Sequence, residues 1–324
     1  METVLLTGVA GFIGHRTCEL LLEQGYTVVG LDNLNDYYDL KLKKYRLASI
    51  SDNPNFNFYE VDIENKKDLE SIFTKYKFKT IFNLAARAGV RYSLVNPDVY
   101  VSTNIQGGLN LLELARRFGV TKYILASTSS LYAGKEMPFV EALNVNEPLS
   151  PYAATKKAAE SMAYSYHHLY NIDVSILRYF TVYGPLSRPD MAQMRFMRWI
   201  DDASEIQLYG DGEQSRDFTH VDDIARGTIL AQKKLGYEVI NLGGGNNPIS
   251  VNRMIQILAS ELDKKAIVKH FPFNKADMVT TWANIQKAKD LLHWSPTIDL
   301  ETGLKSCVDH YLENKNFYQS IELG

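Results

Sequence analysis

Val4-Leu5-Leu6-Thr7-Gly8-Val9-Ala10-Gly11-Phe12-Ile13-Gly14 runs from a short apolar strand through glycines spaced G-x-x-G-x-x-G. A helical pattern follows through Leu20, Leu21 and Leu22. The first gap is one residue wider than in the dinucleotide fingerprint. The chemistry is unchanged: glycine permits a tight turn and close approach of backbone to a pyrophosphate, whose charge meets free N–H groups at a helix N-terminus. A second strand, Thr27 to Leu31, ends in Asp32, about where the fingerprint's acid is expected, some 20 residues on. A glycine turn and an acidic loop residue would each be unremarkable alone. Strand, helix, strand and acid in register favour nucleotide binding.

A carboxylate at Asp32 accepts from both ribose hydroxyls and repels a 2′-phosphate, so the expected cofactor is NAD rather than NADP. Further strands are expected near Asn57 to Val61, Thr80 to Leu84, Lys122 to Ala126 and Val174 to Leu177, with helical patterns between most of them. That alternation predicts an α/β fold of Rossmann type, a doubly wound parallel sheet with its ligands at the carboxyl ends of the strands. The residues to inspect are therefore Asp62-Ile63, Leu84-Ala85-Ala86, Ser127-Thr128-Ser129 and Tyr179-Phe180-Thr181. Asp62 suits an adenine amino group, with a plain loop carboxylate as an equal alternative. Beyond about Pro185 the alternation weakens. The expected division is a mainly dinucleotide-binding domain over 1–184 and a smaller C-terminal α/β substrate-binding lobe over 185–324, with some exchange of elements between them.

The 324 residues are 45% apolar and 23% charged, enough for a substantial core. A net charge of −3 without a long basic run argues against nucleic acid and against an anionic membrane surface. The chain enters a strand directly after Met1 and Glu2, and no apolar run approaches the roughly 18 residues of a membrane span. A soluble, cytoplasmic protein is expected. Cys18 and Cys307 each fall in a helical pattern, so two reduced thiols are expected and no metal site.

Tyr152 and Lys156 stand four residues apart, which places a phenol and an ammonium on one face of a helix. An ammonium beside a phenol lowers its pKa and prepares it as a general base. By itself the pair would suit any amphipathic helix, and the rest of the chain raises its weight. Together with Thr128, Asp62 and Leu84-Ala85-Ala86 it resembles the extended short-chain dehydrogenase/reductase superfamily, specifically its nucleotide-sugar epimerases and dehydratases. The resemblance implies that Tyr152 takes a proton from the sugar 4-hydroxyl, Lys156 lowers its pKa and holds the nicotinamide ribose, and Thr128 bonds the same sugar oxygen. It also implies NAD contacts from Gly8, Gly11, Phe12, Ile13, Gly14, Asp32, Asn33, Asp62, Ile63, Leu84, Ala85, Ala86, Tyr152, Lys156 and Tyr179.

Related 4,6-dehydratases carry an Asp-Glu pair after the threonine, and related decarboxylases a glutamate where Ser130 stands. Here the segment reads Thr128-Ser129-Ser130-Leu131-Tyr132, and a serine hydroxyl is no substitute for a carboxylate near neutral pH. The expected reaction is therefore a 4-epimerisation without net redox change. Ala85-Ala86-Arg87-Ala88-Gly89-Val90-Arg91-Tyr92-Ser93 and Arg178 to Pro185, continuing to Arg188-Pro189-Asp190-Met191-Ala192, resemble UDP-glucuronate 4-epimerases. Arg87 departs from the glutamine expected there and reads either as a solvated loop charge or as a modifier of the pocket rim.

The resemblance assigns Arg188 to the sugar carboxylate, with Thr181, Ser129 and Ser130 beside it, Arg216 to the diphosphate and Asp277 to the nucleotide ribose. Asp277 follows Ala276 where glycine is usual. A guanidinium suits the carboxylate because it forks onto two oxygens and keeps its charge when desolvated. The resemblance implies that the amphipathic helical patterns around Asp98 to Phe118 and Tyr152 to Tyr170 pair with a second copy in a homodimer. Two other functions fit parts of the pattern: a UDP-glucose or UDP-N-acetylhexosamine 4-epimerase, and an NAD-sensing regulator on the same fold.

Overall fold

The computed structural model describes residues 2–245, 248–272 and 279–323. Six strands follow the expected order: β1 (Thr3–Thr7), β2 (Thr27–Asp32), β3 (Phe56–Glu60), β4 (Thr80–Asn83), β5 (Lys122–Thr128) and β6 (Asp173–Tyr179). They form one parallel sheet in the order β3, β2, β1, β4, β5, β6, to which Tyr237–Leu242 adds a seventh strand beside β6. The order reverses between β1 and β4, which opens a crevice at their carboxyl ends.

Successive residues in each strand point to opposite faces, and both faces are covered. Val4, Leu6 and Val28 join the cluster on one side. Leu5, Val29 and Leu31 join the cluster on the other. A fully buried aliphatic side chain contributes roughly 1.5–3 kcal/mol, so a strand apolar at every position fixes the middle of the sheet. A third cluster, with Met194, Ile206, Leu208, Met254 and Leu304, lies under the second half of the chain. There Glu205–Tyr209 pairs in parallel with Ile267–Phe271.

The second half also returns to the first. Tyr237–Leu242 completes the large sheet, and the helix Val221–Leu230 packs against α1 (Phe12–Glu23). Arg16 of α1 bonds Asp222 at 2.8 Å. Arg46, fully buried, donates to the carbonyl of Ala10 in the glycine turn and to that of Leu186 at the start of the Arg188 loop. The two candidate binding regions are thereby tied to one another through a single guanidinium.

The helix carrying Tyr152 spans Pro151–Tyr170. Ser150 caps it, its hydroxyl accepting from the Ala153 N–H at 3.2 Å, and Pro151 occupies the first turn, where its missing N–H costs nothing. Asn171 closes it in a left-handed conformation. The other long helical region is interrupted: Val101–Gly107 is a π-helix between Asp98–Tyr100 and Gly108–Arg117. Such widened turns cluster at functional sites. This one sets Asn104 against the loop after β4.

Candidate active site

A cavity of about 450 Å³ opens along the carboxyl ends of β1 to β6. Its floor begins at the glycine turn. Gly8 and Val9 donate to the Leu31 carbonyl at 2.7 and 3.1 Å, which pulls the end of β1 against β2. Thr7 joins the turn to β4, its hydroxyl donating to Asn83 Oδ1 at 3.0 Å and accepting from the Ala85 N–H at 3.1 Å. α1 starts at Gly11 without a side-chain cap, so its first N–H groups are directed at the cavity. A Cβ at Gly14 would stand 2.1 Å from the Gly8 carbonyl oxygen, and one at Gly8 would meet the Ala85 backbone at 2.8 Å. Gly8, Gly11, Phe12, Ile13 and Gly14 all line the cavity.

The end of the cavity beyond the glycine turn is built from the next two strand ends. Asp32 Oδ2 accepts from the Ala10 N–H at 3.2 Å, and Oδ1 accepts from the Leu34 N–H at 2.9 Å and from Lys43 Nζ at 3.3 Å. Asn33 donates to Asp62 at 2.6 Å, which links the ends of β2 and β3. Asn33, Asp62 and Ile63 face the same space, as do Leu84, Ala85 and Ala86. An uncapped helix start, a glycine cradle that no Cβ could enter and two carboxylates at the far end fit a dinucleotide.

Across the cavity, β5 runs two residues further than its apolar pattern suggests, because Ser127 and Thr128 stay in register with Arg178 and Tyr179 of β6. This brings Thr128 to the strand tip. Its oxygen accepts from the Ser130 N–H at 3.1 Å, and it stands close enough to the Tyr152 phenol to pull its pKa down. Lys156, one turn along the helix, donates to the Ala126 carbonyl at 2.9 Å. Burial pushes the Tyr152 phenol up, opposed by the Thr128 hydroxyl and the Arg188 charge, and the net direction is upward. Burial lowers Lys156 to about 8, with Glu160 opposing. Here the downward pull on the phenol comes from Thr128 and Arg188, whereas the sequence points to Lys156.

Beneath these groups lies a buried network. Glu160 accepts from Arg178 at 2.9 and 2.8 Å and from Ser127 at 2.6 Å. Arg178 also donates to the Tyr132 hydroxyl at 2.8 Å. The pair fixes the helix of Tyr152 to the strands that present Thr128 and Tyr179. Tyr179 lines the cavity while its hydroxyl pairs with Thr228 at 2.8 Å.

Ser129, Ser130, Thr181, Arg188 and Arg216 complete the wall expected for substrate. Asp277 lies outside the described residues. The only carboxylates among the described lining residues are Asp32 and Asp62, both at the glycine-turn end. Sequence reasoning left several lining residues without a role: Tyr37, Lys43 and Met191 among them. The Asp36 to Lys44 stretch stood out as tyrosine-rich, and Lys43 reaches Asp32 only because Leu40–Ile50 is a helix. Arg87 stands at the wall, its backbone clamped by Asn104, which accepts from the Arg87 N–H at 2.9 Å and donates to its carbonyl at 3.0 Å.

Residues 4–243 match the model of the NAD dependent epimerase/dehydratase family. The chain is 56% identical over 323 residues to the UDP-glucuronate 4-epimerase of Thermodesulfobacterium geofontis, covering 100% of both chains. Among solved structures, the UDP-glucuronic acid 4-epimerase of Bacillus cereus in complex with UDP-glucuronic acid and NAD superposes with a TM-score of 0.90 at 37% identity, over 96% of this chain and 99% of that one. The UDP-glucose 4-epimerase of Thermotoga maritima, solved with UDP-glucose, gives 0.85 at 33% identity, over 97% and 99%. The fold expected from the glycine turn and strand alternation is the fold found, and the chain belongs to the NAD dependent epimerase/dehydratase family.

Proposed function

We infer that the protein catalyses the NAD-dependent C4 epimerisation of UDP-glucuronate to UDP-galacturonate through a 4-keto sugar, without net redox change. The observation that carries the reading is the convergence of Thr128, Tyr152 and Arg188 on one cavity, with Arg188 near enough for its charge to pull on the Tyr152 phenol. The 56% identity to a UDP-glucuronate 4-epimerase over the full chain supports the substrate.

In this reading the glycine turn, Asp32, Asn33, Asp62, Ile63 and Leu84-Ala85-Ala86 hold NAD along the strand ends, with Lys156 and Tyr179 toward its nicotinamide. NAD, when bound, supplies the acceptor and later the donor of a hydride at C4. Tyr152 removes the proton of the 4-hydroxyl as C4 is oxidised and returns it at the end. Thr128 bonds the same oxygen and keeps the phenolate favourable. Lys156 keeps a positive charge beneath the nicotinamide ribose and the phenol. Arg216 anchors the diphosphate while the sugar turns and presents its other face.

A 4-keto uronate is a β-keto acid, and it loses carbon dioxide if the breaking bond aligns with the carbonyl π system. Arg188, Thr181 and Ser129 restrain the carboxylate out of that alignment. With Asp32 and Asp62 the only lining carboxylates among the described residues, the sugar end of the cavity has no acid to carry chemistry to C5 or C6.

The protein works as a homodimer in the cytoplasm and supplies UDP-galacturonate for polysaccharide synthesis. Val101, Tyr164 and Leu169 stand 51%, 52% and 65% exposed on the two helical regions expected at the dimer interface, a cost in water that a partner copy removes. Arg188→Ala tests the substrate assignment against a neutral-sugar epimerase. It is expected to cut kcat/KM for UDP-glucuronate on the order of a hundredfold, as loss of one partner of a desolvated charge pair does, and to spare UDP-glucose. Equal losses on both sugars would reject the assignment.

A further inference from the structure

Arg188 faces the cavity, but its fork is already engaged. Nε and Nη2 donate to the two oxygens of Asp190 at 2.9 and 2.8 Å, the parallel two-bond geometry that the same group would offer a sugar carboxylate. The guanidinium also lies over the Tyr37 ring, 5.7 Å from its centre, and that ring is fixed by a 2.7 Å bond from its hydroxyl to the Ala88 carbonyl. Arg188 therefore has a defined place without any help from substrate. Asp190 itself does not line the cavity, and its side chain is 36% exposed against 20% for Arg188. Sitting two residues along the same loop, its carboxylate can swing toward water while the backbone stays, held by the bond from the Met191 N–H to the Arg188 carbonyl at 3.1 Å.

An epimerase has to let the sugar go in mid-reaction. A cation in a partly desolvated wall grips a carboxylate strongly, and the departure of that carboxylate leaves an uncompensated charge. The resident carboxylate removes this difficulty. We propose that Asp190 is a positioning residue that exchanges with the sugar carboxylate on the Arg188 guanidinium, so that the keto sugar is released from a cation that is neutralised as it leaves. The proposal rests on the assignment of Arg188 to the sugar carboxylate. Asp190 weakens ground-state binding of the uronate and speeds the turn, and it has no influence on a sugar without a carboxylate.

The test uses full-length protein with NAD and a Tyr152→Phe background, in which UDP-glucuronate and UDP-glucose are titrated without turnover. Adding Asp190→Asn is expected to tighten UDP-glucuronate about tenfold, as removal of a competing charge at this range does, and to leave UDP-glucose unchanged. In protein that retains Tyr152, the same substitution lowers KM and kcat together. Asp190→Glu, which keeps the charge, restores the original affinity ratio. Unchanged or weaker uronate binding by Asp190→Asn, or an equal change for both nucleotides, would make Asp190 a structural prop and overturn the proposal. Arg188→Met in the same background separates the two levels. If it abolishes the uronate preference while Asp190→Asn has no effect, the carboxylate assignment stands and the exchange falls; if it affects both nucleotides equally, both fall.

Discussion

Lys43 and Asp32 form a buried ion pair, 3.3 Å between Nζ and Oδ1, with side chains only 5% and 7% exposed. The carboxylate expected to repel a 2′-phosphate is thus partly neutralised by an ammonium that also lines the cavity. Discrimination against NADP is then expected to depend on Asp32 keeping Lys43 paired. Asp32→Ser should expose that ammonium and move the NADP-to-NAD affinity ratio toward NADP on the order of a hundredfold, since phosphate pairs strongly with a desolvated cation. Asp32→Ser with Lys43→Met should undo most of the shift. Titration of each variant with both coenzymes checks it, and an unchanged ratio in Asp32→Ser would remove Lys43 from cofactor selection.

Tyr152→Phe keeps the ring, which packs at 6.0 Å from that of Tyr100, and deletes the hydroxyl whose pKa Thr128 and Arg188 pull down. Turnover should fall about a thousandfold, within the usual range for loss of a positioned general base. Bound NAD and thermal stability should stay near wild type. Steady-state rates alongside coenzyme content measure the two effects separately.

Burial brings Lys156 down from 10.5 to about 8. Turnover should decline as pH rises through that value and the ammonium is lost. The folded state binds fewer protons at Lys156 than the unfolded chain between pH about 8 and pH about 10.5, so this residue's contribution to stability rises across that window. Denaturant titrations at several pH values should show the rise in wild type and its loss in Lys156→Met. A contribution that fell with pH would contradict the burial argument.

Gly14 and Gly108 make opposite tests of close packing. At Gly14 an added methyl meets the rigid Gly8 carbonyl at 2.1 Å, whereas at Gly108 the nearest neighbour is Asn83 Nδ2 at 3.9 Å. Gly14→Ala should lower the melting temperature and empty the protein of NAD. Gly108→Ala, in a helix interior, should be neutral or stabilise by up to about 1 kcal/mol. Calorimetry and coenzyme content after gel filtration distinguish the two.

The sheet was legible because its strands are apolar runs punctuated by glycine or acid, and burial on both faces leaves few other ways to fold them. Their ends were less so: Ser127 and Thr128 interrupt the apolar run, and only pairing with Arg178 and Tyr179 keeps them in the strand. Tyr152 and Lys156 could be placed on one face from spacing alone, since helical period is local. Asn104 could not, because the π-helix that aims it at Arg87 leaves no mark in a 3.6-residue pattern. Lys43 and Asp190 were hidden for a related reason. Lys43 meets Asp32 from a separate helix and Asp190 meets Arg188 within one loop, and apolar periodicity carries no information about either pairing.

The most direct measurement is proton NMR of UDP-glucuronate incubated with purified protein and no added NAD. Axial-proton couplings of UDP-galacturonate should grow in to a fixed ratio, with neither net NADH nor a decarboxylated pentose. A sugar left untouched by protein fully loaded with NAD, or conversion to the pentose alone, would contradict C4 epimerisation by this chain.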